Sequence, residues 1–175
     1  MSLPARILIF TGDGKGKTTA ALGMAFRAAG HGLRTCIVQF IKSDPSVGEM
    51  AAAAASPQIE IHVTGLGFLP QADDPRFAEH RAAAQEGLRR AAEVIAGRQF
   101  PLVVLDEVCL AVARGLLAER QVAELLARAA PDMCVVLTGR DASPGLIALA
   151  DTVTEMRSLK HGLQTGRVAQ KGVER

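Results

Sequence analysis

The chain has 175 residues, enough to bury the core of one domain and too few for two ordinary ones. Apolar residues make up 49% and charged residues 22%, which excludes a disordered or fibrous protein. Twenty Lys and Arg against eighteen Asp and Glu leave +2, too little excess for a general nucleic-acid or membrane-surface binder, and 3% aromatics with no Trp or Tyr leave stacking to Phe alone.

Short apolar runs alternate with longer Ala-rich stretches, the pattern of a parallel sheet covered by helices on both faces. In chain order the expected elements are a strand at Arg6–Phe10, a helix at Lys17–Ala29, a strand at Arg34–Ile41 and a short helix at Val47–Ala55. A strand at Ile59–Val63 and a long helix at Pro75–Ala96 follow, the latter with Asp74 placed to cap it and Pro75 at its first position. Next come a strand at Leu102–Leu105, a helix at Glu119–Ala129, a strand at Met133–Leu137 and a sixth candidate strand at Thr152–Met156. Ser158–Arg175 is polar and Gly-punctuated and reads as a tail. The whole chain, 1–175, is expected to form a single α/β unit with a mostly parallel sheet of about six strands.

No apolar run reaches the ~18 residues of a membrane span; even Leu102–Ala113 is interrupted by Asp106 and Glu107. Met1–Arg6 runs into the first strand without a secretory h-region, so a cytoplasmic location without membrane or nucleic-acid partners is expected. Cys36, Cys109 and Cys134 are far apart, share no C-x-x-C spacing, and read as buried reduced thiols rather than disulfide or zinc ligands.

The strongest signal is Ile7–Thr19, a strand passing through Gly12-Asp13-Gly14-Lys15-Gly16 into a helix opened by Lys17-Thr18-Thr19. Glycines let backbone N–H groups turn onto phosphate oxygens, the helix start adds positive potential, Lys17 supplies a charge and Thr18 offers a hydroxyl to Mg²⁺. The usual phosphate-loop pattern wants Gly at position 11; here Thr11 stands there and Gly is displaced to 12. A second signal is Leu102–Glu107, four apolar residues ending in two carboxylates where a buried strand should emerge beside the phosphate loop. Asp106 and Glu107 there suit Mg²⁺; the competing explanation is that Asp106 caps the next helix and Glu107 favours its dipole. Arg140, after Leu137-Thr138-Gly139, should reach the same sheet edge. Ser46 and Glu49 have capping-box spacing. His31, Lys160 and His161 receive no role, and no G-x-S-x-G or H-E-x-x-H constellation is present.

Together, Thr11–Gly23, Val38–Lys42, Leu105–Glu107, Thr138–Arg140, Ala150–Arg157, Lys160-His161 and Ala169–Glu174 resemble, in order, the P-loop corrinoid adenosyltransferases of the CobA/BtuR type, in which the displaced Gly is usual. The resemblance implies a RecA-like P-loop NTPase three-layer sandwich and transfer of the 5′-deoxyadenosyl group of ATP to cobalt(I) of a reduced corrinoid, with triphosphate released. It implies roles for Lys17, Thr18 and Glu107 in catalysis and for Gly12, Asp13, Gly14, Lys15, Gly16, Lys17, Thr18, Thr19 and Arg140 in holding ATP, with Arg27 a weaker candidate. Thr18 and Glu107 would hold Mg²⁺, with Asp106 behind them, and Phe68 would press on the corrinoid. A homodimer and a reductant such as a flavoprotein are the implied partners; cobalamin, cobinamide and cobyrinic acid a,c-diamide all remain open as substrate, as do salvage and synthesis. The chain departs from the family in carrying Pro70 where Trp is common, Leu163 where an aromatic is frequent, and no extension before the first strand. The rival readings are a RecA-like ATPase whose γ-phosphate hydrolysis drives a partner, and a carrier that binds without turnover.

Overall fold

A computed structural model describes residues 4–162 and 166–173. Six strands form, β1 (Arg6–Thr11), β2 (Thr35–Gln39), β3 (Ile59–Val63), β4 (Leu102–Asp106), β5 (Cys134–Thr138) and β6 (Thr152–Glu155). All are parallel, in the order β3-β2-β4-β5-β1-β6. The expected α/β architecture is therefore present. β5 lies between β4 and the phosphate-loop strand β1, yet the end of β4 still emerges beside the phosphate loop as expected, with Asp106 within 2.8 Å of Thr18.

The helices are α1 (Lys17–Gly30), α2 (Gly48–Ala54), α3 (Phe77–Gly97), α4 (Val108–Ala113), α5 (Glu119–Leu126) and α6 (Pro144–Leu149). The six-residue α6 was not foreseen, and a helix after Asp106, here α4, entered only through the competing explanation of that residue; neither is long enough to show a helical period in the sequence. Two expected caps do not form. Asp74 turns back on Arg76, its Oδ1 accepting the Arg76 N–H at 2.8 Å and its Oδ2 pairing with the guanidinium at 2.7 Å. This tight turn delays α3 to Phe77. Ser46 likewise donates its hydroxyl to Asp44 at 2.6 Å instead of capping α2.

Strand alternation sorts the core into two layers. Ile7, Ile9, Cys36, Val38, Val103, Leu105, Val135 and Leu137 belong to the cluster that includes Ala84, Ala91 and Ile95 of α3 and Val122 and Leu125 of α5. Ile37, Leu102, Val104 and Val136 face Ala21 and Ala25 of α1. The small α1 residues let that helix lie close to the sheet and hold its N-terminus at the sheet's carboxyl edge. β2 and β4 are buried along their whole length, as near-continuous apolar runs require, whereas β6 is an exposed edge.

Burial pushes the Cys36 and Cys109 thiols up to about 12, in keeping with inert core cysteines. Cys36, Glu60 and His62 do bring ligand atoms within 4.8 Å of one another, a grouping not foreseen in the sequence. Arg90 already occupies this cluster, its guanidinium 3.4 Å from Glu60 Oε1 and 3.1 Å from His62 Nε2.

Candidate active site

The phosphate loop is held from beneath by the chain leaving β6. The Met156 N–H donates to the Thr11 carbonyl at 2.8 Å, and the Gly14 N–H donates to the Met156 carbonyl at 2.7 Å. A Cβ on Gly12 would stand 2.4 Å from the Met156 oxygen, and one on Gly14 would stand 2.7 Å from it. These glycines are thus required by a close backbone crossing, and the Gly14 N–H is committed to Met156 instead of facing a ligand. This differs from the simple cradle expected from the motif, and it accounts for Gly at 12: its φ of 95° turns the chain over Met156. Gly16, at φ 116°, makes the second left-handed turn and opens α1.

Lys17 is buried and donates to the Gly14 carbonyl at 2.7 Å, tying its ammonium across the loop. Burial, reinforced by the like charge of Arg140, draws the Lys17 ammonium below its ordinary range, against the opposing pull of Glu107. Lys15 is exposed and donates to the Val173 carbonyl at 2.9 Å, so the segment read as a tail returns to the loop. Asp13 is also exposed and accepts the Ser158 N–H at 3.3 Å.

Register brings three buried polar side chains together at the carboxyl edge: Gln39 lies opposite Asp106, and Thr138 ends the neighbouring strand. Asp106 Oδ1 accepts from Thr18 at 2.8 Å and from Thr138 at 2.7 Å. Its Oδ2 accepts from Gln39 at 3.3 Å and pairs with Lys42 at 3.0 Å. Asp106 is therefore a fully partnered buried carboxylate that positions Thr18, and it does not cap α4. Glu107 is different. Its backbone stands at φ 63°, pinned by its N–H donating to Thr138 Oγ1 at 2.9 Å, and its Oε2 is buried with no hydrogen-bond partner among the described residues. Burial, with the adjacent Asp106 charge adding, pushes the Glu107 carboxyl above its usual range. A strained backbone aiming an orphaned carboxylate at a cleft is the arrangement expected of a ligand for a cation.

Asp13, Gly14, Lys15, Gly16, Lys17, Thr18, Thr19, Glu107 and Arg140 all line one cavity of about 640 Å³. Its apolar side is formed by Leu22, Phe26, Ile59 and Ile61. Gly12 at the start of the loop, Asp106 hydrogen-bonded to Thr18, and Arg27 in the last turn of α1 are not in the lining. Phe68 is fully exposed in the β3–α3 connection and is not brought to this cavity. Leu163 lies outside the described residues. The sequence reading missed Lys42, Gln39 and Thr138 as site residues; their signal was a polar residue closing or following an apolar strand. His161, given no role, also lines the cavity.

Residues 4–175 match the family model described as ATP:corrinoid adenosyltransferase BtuR/CobO/CobP. The chain belongs to this family. Corrinoid adenosyltransferases from Pseudomonas aeruginosa (44% identical; 96% of this chain, 82% of that one) and Escherichia coli K12 (37%; 96% and 84%) are among its relatives. Corrinoid adenosyltransferase CobA of Salmonella typhimurium is 37% identical, with 96% of this chain and 84% of that one covered. As a family member the chain is a transferase that adenosylates a corrinoid with ATP, and the match decides against the rival ATPase that drives a partner. Among solved structures, flagellar accessory protein FlaH of Methanocaldococcus jannaschii superposes with TM-score 0.56 at 11% identity, covering 87% of this chain and 72% of that one. KaiC-like protein PH0186 of Pyrococcus horikoshii OT3 gives TM-score 0.56 at 16% identity, covering 91% and 82%. These two bear on the adenosyltransferase's fold, an α/β P-loop arrangement of the RecA-like kind. Among the described residues no helix is long and apolar enough to cross a membrane.

Proposed function

We propose that this adenosyltransferase holds ATP with its triphosphate over the Gly14–Thr19 turn and its C5′ carbon turned outward to a corrinoid. The cobalt(I) electron pair forms the cobalt–carbon bond as the C5′–O5′ bond breaks, and the bonding pair leaves on triphosphate. The observation that carries this reading is the composition of the 640 Å³ cavity: cations and a helix start on one side, an apolar wall on the other, and no serine or cysteine nucleophile among its lining residues. With the nucleophile on the substrate, the protein has to orient two reactants and stabilise a departing polyanion. Lys17 and Arg140 supply positive charge, and the α1 N-terminus adds its dipole.

The orphaned Glu107 Oε2 and the Thr18 hydroxyl fit a hard divalent cation. Thr18 and Glu107 would hold Mg²⁺, with Asp106 fixing the Thr18 hydroxyl. When bound, Mg²⁺ supplies charge neutralisation to the leaving triphosphate. Asp13 and Lys15 at the loop rim contact the nucleotide from outside. Phe68, exposed and outside the cavity lining, would serve the corrinoid. We place the chain as one cytoplasmic P-loop unit, 1–175, acting as a homodimer and supplied with electrons by a reductant such as a flavoprotein.

The test is a product assay with cobalamin, cobinamide and cobyrinic acid a,c-diamide, each pre-reduced, in parallel. The reading requires triphosphate and a light-sensitive adenosylated corrinoid in equal amounts. Corrinoid-independent release of ADP would refute it.

A further inference from the structure

Lys42 follows β2 and projects over the sheet edge onto two groups of the proposed metal site at once. Its Nζ stands 3.0 Å from Thr18 Oγ1 and 3.0 Å from Asp106 Oδ2. The Thr18 hydroxyl proton is already directed to Asp106 Oδ1 at 2.8 Å, so Lys42 takes an oxygen lone pair. A metal ion taking the remaining lone pair of that oxygen would stand beside the Lys42 ammonium, a like charge. The two ends of the pair differ in freedom: the Asp106 side chain is fully buried and bound by Thr18, Thr138 and Gln39, whereas the Lys42 side chain is 34% exposed and lines the cavity. Lys42 can leave; Asp106 cannot.

We infer that Lys42 is the resident counter-ion of the metal seat: its ammonium neutralises Asp106 and holds Thr18 in the free protein, and yields that place when a metal–ATP complex enters. This rests on the Mg²⁺–ATP reading above and adds a rule of entry to it. A bare divalent cation meets a like charge at hydrogen-bond distance from its first ligand, and displacing that charge without an anion to receive it is unfavourable. Triphosphate arriving with the metal gives the freed ammonium a new partner in the same cavity. Metal and nucleotide are thereby taken up together, and Lys42 becomes an additional cation facing the leaving group.

The measurement is binding of Mn²⁺ alone, followed by electron paramagnetic resonance, to the wild type and to Lys42→Met, Lys42→Gln and Lys42→Arg, with thermal unfolding in parallel. Mn²⁺ without nucleotide should bind the Met and Gln variants about tenfold or more tightly than the wild type, and should raise their melting temperatures while leaving the wild type unmoved. Arg, which keeps the charge, should behave as the wild type. Lys42→Gln retains an amide donor for Asp106 and so carries the test if the Met variant does not fold. Equal Mn²⁺ binding by wild type and neutral variants overturns the inference while leaving the metal site standing. Failure of every protein to bind Mn²⁺, with ATP present or absent, overturns the underlying metal reading and the inference with it.

Discussion

Thr138 is where fold and site meet, and Thr138→Val is the sharpest probe of the carboxylate network. Valine has nearly the same shape, so the substitution leaves no cavity to confuse the result. It removes the 2.7 Å hydrogen bond to Asp106 Oδ1 and the acceptor for the Glu107 N–H at 2.9 Å. A hydrogen bond to a charged acceptor contributes about 1.5–3 kcal/mol, and a stranded buried N–H costs about 1–3 kcal/mol. Asp106 keeps Thr18, Gln39 and Lys42, so values near the lower ends apply and the expected loss is about 2.5–4 kcal/mol. For a chain of this length each kcal/mol lowers the melting temperature by about 2–4 °C, which puts the drop at about 5–16 °C. Urea unfolding followed by circular dichroism gives the stability directly, and Thr138→Ser should recover most of it. Because the Thr138 hydroxyl also pins the left-handed Glu107, affinity for Mg²⁺–ATP should fall in the valine variant and return in the serine variant. A valine variant within about 0.5 kcal/mol of the wild type would show that the network neither stabilises the edge nor aims Glu107.

Lys17→Met should lower turnover by about 10²-fold or more, since it removes a cation from the leaving group, without destabilising the nucleotide-free protein, where the buried ammonium is held below its ordinary range; steady-state kinetics beside urea unfolding separate the two effects. Glu107 has its folded-state value raised, so above the ordinary glutamate range the native state binds more protons than the unfolded chain and stability falls as pH rises. Glu107→Gln should flatten that part of the stability–pH profile, and superimposable profiles would contradict the assigned burial. Gly12→Ala forces a Cβ to 2.4 Å from the Met156 carbonyl at a φ of 95° and should cost about 2 kcal/mol or more together with ATP binding, read by unfolding and calorimetry. Phe68→Ala, at an exposed position, should change stability by less than about 0.5 kcal/mol while slowing turnover more from cobalt(II) than from pre-reduced cobalt(I); equal slowing would mean that Phe68 only positions the corrinoid.

The local chemistry of the chain determined a good deal unaided. The buried strands β2 and β4 show as near-continuous apolar runs because a parallel strand covered on both faces has little other composition available, and all six strands begin within one residue of their expected starts. The strand–loop–helix passage into Lys17-Thr18 declared a polyphosphate site because glycine flexibility and an exposed helix start are local properties. Short helices escaped: α4 and α6 owe their existence to packing, being too brief to carry a period. Strand order was equally invisible, since a polar residue at a strand's end does not say which strand lies beside it. The sheet register decided that Gln39, Asp106 and Thr138 meet. It also decided that Asp106, fully partnered, is a positioning group while its neighbour Glu107 carries the unpartnered oxygen. The same holds for Gly12, whose place in the motif was legible but whose cause, the backbone of Met156 crossing beneath, is 144 positions further along the chain. Interactions between residues close in sequence leave a pattern that can be read; those closed by the fold exist only once the distant strands have come together.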